Sequence, residues 1–396
     1  MFFQQEKCLL YRVLCSRMTG GGKTCMEFGL DRALETLSKR HLDRKRFGLV
    51  TNAASFSSTF QSSKSFLCKH LNITDLFAPE HGMGSFIADG KDVEDQRDAE
   101  TGLVVHSLYS NGGKPVDPSV CQDIDCLLFD IQDVGLRFYT YIATLKQLLQ
   151  LGKPLIVLDR PNPLGGLVVE GAILSPSYES FVGPSGLPVR YALTMGELAF
   201  WMQHQYGLCG ELGIVELSGY RRSDLWHDTG RPWVMTSPAL AHLGGVFLYA
   251  GFCLLEGTNL SEGRGTSAPF ELFGAPFIDP YRLSDEVGRL GLQGVVFTPV
   301  SFVPSQGKHQ GALCHGLYAH ILDYHALRPF STCLKVLATV HHLYPDRLSF
   351  TAHFSKLAGF GPEELSADKL GHTLQKAEEE SQAFMKEKRR FERYGK

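Results

Sequence analysis

None of the ten cysteines in this 396-residue chain forms a CxxC pair. Zinc ribbons and thioredoxin-type redox sites need that spacing, so both are excluded. Scattered thiols in a chain of this length read as free cysteines of a reducing compartment. A surplus of positive charge is also missing. The 39 basic and 42 acidic residues leave a formal net charge of −3, which argues against nucleic acid or an anionic membrane as partner. No run of 18 or more apolar residues follows the N-terminal stretch, so no transmembrane helix is expected. HExxH and EF-hand patterns are absent, which removes the common signatures of a resident metal. No GxGxxG follows the first strand, so dinucleotide binding is unsupported. Gly20-Gly21-Gly22-Lys23-Thr24 imitates a phosphate loop, but Arg17 stands where its first glycine belongs. Internal repeats and low-complexity tracts are absent too.

What is present is a globular composition, 43% hydrophobic, on a length that suggests about two domains. Residues 1–26 read as an N-terminal extension. Cys8 to Cys15 carries Arg12 and lacks a small-residue cleavage site, so a cytoplasmic location is expected, with export as the alternative. From Phe28 onward strands and helices alternate. Strands are expected at Arg46–Val50, Ile73–Ala78, Leu103–Leu108, Cys126–Phe129, Pro154–Leu158 and Gly213–Leu217. Helices are expected at Asp31–Ser38, Ser65–Leu71, Tyr139–Leu151 and Met195–Tyr206, and residues 85–101 read as a charged surface loop. The strands are continuous apolar runs, the mark of strands buried on both faces. The pattern is α/β: a Rossmann-like, doubly wound, mainly parallel sheet over 27–274, with a smaller α+β domain over 275–396 completing a cleft.

Four polar clusters fall where these strands end: Thr51-Asn52, Glu80-His81, Asp130 with Asp133, and Asp159-Arg160 with Asn162. In an open α/β sheet, ligands bind beyond the carboxyl ends of the strands, so these clusters are expected to share one crevice. Within Pro79-Glu80-His81-Gly82, Glu80 is the candidate catalytic carboxylate. Converging carboxylates suit glycoside hydrolysis, oxygen-ligated metal, or sugar binding without turnover. A second polar stretch, Glu256 to Thr266, sets two acids, Arg264, an amide and hydroxyls among glycines. It is either a binding loop or a loop pinned by its own Glu–Arg pairs. Phe138, Tyr139 and Tyr141 offer either core packing or a surface for a sugar ring.

These residues resemble the NamZ-type exo-β-N-acetylmuramidases. The resemblance is carried by LVTN (49–52), LFAPEHG (76–82), FDIQDVGLRFYTY (129–141), VLDRPNPLGG (157–166), VEG (169–171), SFVGPSGLPVRYALTMGEL (180–198), CLLEGTNLSEGRGT (253–266) and PFELFGAP (269–276). The chain departs from the family pattern at Ala239, where an amide side chain is usual. The resemblance implies release of N-acetylmuramic acid from the non-reducing end of peptidoglycan fragments, without a nucleotide cofactor; the missing ligand motifs argue against a metal. It places the acid/base role on Glu80 and a second carboxylate on Glu170, with Asp130 and Asp133 as alternatives. Arg264, or else Arg160 or Arg137, is expected to pair with the lactyl carboxylate that distinguishes muramic acid. Asn52, His81, Tyr139, Asn162, Glu262 and Thr266 are expected to contact the sugar.

Overall fold

The computed structural model describes residues 26–84, 96–108 and 116–395. The phosphate-loop imitation and all but the last residue of the expected extension lie outside them. Met26 itself is buried with Phe28 against Leu217, Tyr220 and Trp226.

The larger sheet holds β1 (Phe47–Thr51), β2 (Ile73–Ala78), β3 (Gln96–Arg97), β4 (Val104–Ser107), β5 (Cys126–Asp130), β6 (Leu155–Leu158) and β7 (Leu212–Val215). Their spatial order is β3-β4-β2-β1-β5-β6-β7. All neighbours pair in parallel except the short edge strand β3, which lies antiparallel to β4. The charged stretch expected to be pure loop therefore contributes an edge strand, at its described end. The chain winds outward from β1 through β2 and β4, then restarts at β5 and winds the other way through β6 and β7. The reversal point between β1 and β5 is where such sheets open a crevice.

Alternation within the strands explains why they read as continuous apolar runs. Leu49, Leu76, Leu128 and Ile156 point to one face, against Leu30, Ala33 and Leu37 of α1 (Gly29–Lys39) and Leu67 of α2 (Ser63–Leu67). Val50, Phe77, Leu127, Phe129 and Val157 point to the other, against α3 (Tyr141–Gln150) and α4 (Met195–Gln205). Both faces are covered, so the central strands are apolar at most of their positions.

The rest of the chain holds α5 (Leu243–Phe252), β8 (Leu272–Ala275), α6 (Pro280–Gly288), β9 (Val295–Phe302), β10 (Cys314–Ile321), α7 (Pro329–Leu343), α8 (Ala352–Ala358) and α9 (Leu370–Lys388). β8, β10 and β9 form a separate antiparallel sheet in that order. Its core is continuous with the second face of the large sheet through Phe252, Phe273 and Leu334. The end of α9 and the residues after it return to the first region. Trp201 Nε1 donates to Glu387 Oε1 at 2.8 Å, and Tyr394 Oη donates to Asp159 Oδ2 at 2.5 Å. Among the described residues no helix is long and apolar enough to cross a membrane, and the seven described cysteines are unpaired.

Candidate active site

β2 delivers the site's first residues. Its last residue, Ala78, is followed by a tight turn closed by a bond from Gly82 N to Pro79 O of 3.0 Å. His81 and Gly82 both take left-handed backbone angles, φ 70° and 72°. Glycine adopts that region freely, whereas at His81 it carries strain, which proteins hold mainly at functional positions. The turn leaves Glu80 and His81 both nearly inaccessible from bulk solvent, yet bordering a cleft of ≈ 260 Å³. Thr140, the residue before α3, donates from Oγ1 to Glu80 Oε2 at 2.6 Å. The His81 ring lies 6.3 Å from Tyr139 and 6.4 Å from Tyr141. Thr236 holds both tyrosines, accepting from Tyr139 Oη at 2.8 Å and Tyr141 Oη at 2.7 Å. Phe138 and Tyr139 line the cleft, while Tyr141 belongs to the core beneath it.

The second region adds Tyr249, Glu256, Arg264, His353 and Leu357 to the lining of the cleft. Gly257 explains the closeness of the Glu256 loop to α8. A Cβ there would lie 2.3 Å from Phe354 Cα, so only glycine lets the two backbones meet. Arg264 Nη2 donates to Glu256 Oε1 at 2.7 Å, and His353 Nε2 lies 3.7 Å from Glu256 Oε2. Burial pushes the Glu256 carboxyl up, but the nearby His353 ring and the Arg264 guanidinium bonded to it outweigh that and hold the group below its ordinary range. The cleft thus brings Glu80, bonded by the Thr140 hydroxyl, together with a second carboxylate whose partners favour its ionised form.

The other strand-end residues turn inward. Asp130 is fully buried and grips Arg160 through two bonds, Nε to Oδ1 at 2.6 Å and Nη2 to Oδ2 at 3.0 Å. Asn52 donates to Gln132 O and accepts from Ser55 Oγ. Asn162 donates to Leu193 O and accepts from Leu164 N. Asp133 Oδ2 accepts from Gly135 N and Tyr191 Oη; burial pushes its carboxyl up to about 6. These groups stiffen the reversal point of the sheet, and the cleft is not lined by them.

Arg137 is also directed into the protein. It donates to the carbonyls of Ala172 (2.6 Å), Leu187 (2.9 Å) and Leu357 (2.5 Å). Burial lowers it to about 9. Glu170 lies apart from the cleft as well. Its Oε1 accepts from Ser331 N at 3.0 Å in the first turn of α7, and burial pushes it up to about 7. Glu262 stands behind Arg264 rather than in the cleft wall, and Thr266 closes its own turn onto Gly263 O at 2.6 Å. Of the residues expected from sequence, the cleft gathers Glu80, His81, Tyr139 and Arg264. It adds Thr140, Glu256 and His353. Glu256 lay inside a stretch singled out from sequence, whereas His353 sits on a short helix with no motif around it.

Comparison with known proteins covers most of the chain. The N-terminal model of the exo-beta-N-acetylmuramidase NamZ family matches residues 47–244, and its C-terminal model matches residues 247–394. The peptidoglycan beta-N-acetylmuramidase NamZ of Bacillus subtilis strain 168 is 41% identical over 347 residues, spanning 86% of this chain and 83% of that protein. Two crystal structures of DUF1343 family proteins from Bacteroides fragilis NCTC 9343 share the fold. One superposes with a TM-score of 0.83 at 28% identity, covering 94% of this chain and 100% of the other. The second gives 0.74 at 24% identity, covering 94% and 99%.

Proposed function

This chain belongs to the exo-β-N-acetylmuramidase NamZ family, and we propose that it is a peptidoglycan glycosidase releasing N-acetylmuramic acid from the non-reducing end of wall fragments, with Glu80 as its general acid. The observation that carries this reading is that Glu80, bonded by Thr140, lines one cleft together with the Glu256–Arg264 pair.

Glycoside cleavage needs a proton for the leaving oxygen and negative charge near the oxocarbenium-like carbon. Thr140 donates to Oε2 of Glu80, which helps to fix the plane of the carboxyl group. Glu256, kept ionised by its partners, supplies the opposing negative charge, directly or together with the sugar's own acetamido group. Glu256 therefore takes precedence over Glu170 as the second carboxylate, because it borders the cleft and Glu170 does not. The cleft lies near the lower end of the ~300–1,000 Å³ spanned by small-molecule sites, which suits one terminal sugar and so exo action. Arg264 offers a planar cation to the lactyl carboxylate.

Product analysis with a disaccharide carrying N-acetylmuramic acid at its non-reducing end tests the reading. Free N-acetylmuramic acid and the shortened sugar are expected. An intact disaccharide recovered with bound protein would instead mark a carrier of wall fragments.

A further inference from the structure

Arg264 faces the cleft as one link of a longer chain of charges. Its Nε lies 3.4 Å from Glu262 Oε1, and Glu262 Oε2 accepts from Lys308 Nζ at 2.9 Å. Lys308 lies in the loop between β9 and β10. Its remaining donors reach the carbonyls of Leu255 at 2.7 Å and Leu260 at 3.0 Å, so all three N–H groups of the ammonium are used. The loop is seated on the Glu256–Thr266 stretch at two more points. Ser305 N donates to Gly265 O at 2.9 Å, and His309 Nε2 meets Asn259 O at 2.7 Å. Lys308, Glu262, Arg264 and Glu256 thus alternate in sign from the loop to the cleft. Glu262 is nearly inaccessible and Arg264 largely enclosed, so screening by solvent is weak along the chain.

Counting charges along it has a consequence for substrate choice. The two carboxylates and the two cations sum to zero. Without Lys308 the set would carry a net −1, and two carboxylates would compete for one guanidinium. That surplus would oppose the carboxylate of an anionic sugar at the point where Arg264 is offered to it.

We propose that Lys308 is a specificity-determining positioning residue: through Glu262 it frees the positive charge of Arg264 to bind the lactyl carboxylate. This rests on the muramidase reading above and deepens it.

The test measures hydrolysis of 4-nitrophenyl N-acetylmuraminide, with N-acetylmuramic acid and its lactyl methyl ester as competing inhibitors. For Lys308→Met, KM is expected to rise roughly tenfold with kcat little changed, and the preference for the acid over the ester should vanish. Lys308→Arg should restore that preference. Glu262→Gln should move the other way, keeping or increasing the preference for the acid, because it leaves Arg264 less compensated. A purely structural loss would weaken both inhibitors alike in both variants, and would overturn the inference. So would an acid preference in Lys308→Met equal to that of the wild type. Failure of the wild type to cleave any muraminide would overturn the functional reading as well, so the two failures are distinguishable.

Discussion

Thr140 Oγ1 and Glu80 Oε2 lie 2.6 Å apart, joining the start of α3 to the turn after β2. This bond orients the carboxyl group proposed as the general acid. A misaligned acid loses rate rather than affinity. Thr140→Val is expected to lower kcat about tenfold or more with KM little changed, while Thr140→Ser keeps most of the activity. Steady-state kinetics on a chromogenic muraminide decides it; a rise in KM alone would place Thr140 in binding.

Arg137 ties three segments of backbone together. It binds carbonyls of Ala172 and Leu187 on one side and Leu357 of α8 on the other. Removing it takes a charged donor from three carbonyls, of which Leu187 O keeps the bond from Leu174 N. Arg137→Met should cost about 3 kcal/mol or more in denaturant unfolding. A variant of unchanged stability that fails only to bind sugar would return Arg137 to the substrate site.

Glu170 makes a prediction about pH. Burial raises its carboxyl from an ordinary 4.5 to about 7 in the folded protein. The folded state therefore holds a proton that the unfolded state releases, between those two values. The stability contributed by the neutral group is full below pH 4.5 and is lost as pH rises through about 7. Asp133 and Asp159, pushed up to about 6 and about 7, act in the same direction. Comparing wild type with Glu170→Gln isolates one of the three. The difference in unfolding free energy is expected to change by ~3 kcal/mol between pH 4 and pH 8. A difference independent of pH would contradict the assignment.

The sheet was legible in the sequence because each strand is apolar on both faces. Leu49 and Val50 serve opposite layers, yet both must be hydrophobic. β3 was hidden because an edge strand of two residues needs no apolar pattern. The turn at Glu80 was legible from its proline and glycine. The partners of the strand-end polar residues were not. Asp130 and Arg160 satisfy each other, as do Asn52 and Ser55, and spacing in sequence does not distinguish such pairs from groups aimed at a ligand. His353 was invisible for the same reason: only the approach of α8 to Gly257 makes it part of the cleft.

The role of Glu80 is the central claim, and its isosteric amide tests it most directly. Glu80→Gln keeps the bond-accepting oxygen and removes the proton. Hydrolysis of a chromogenic N-acetylmuraminide by this variant is expected to fall ~10²–10⁴-fold in kcat, the usual worth of general acid catalysis. Activity retained within about tenfold of wild type would contradict it.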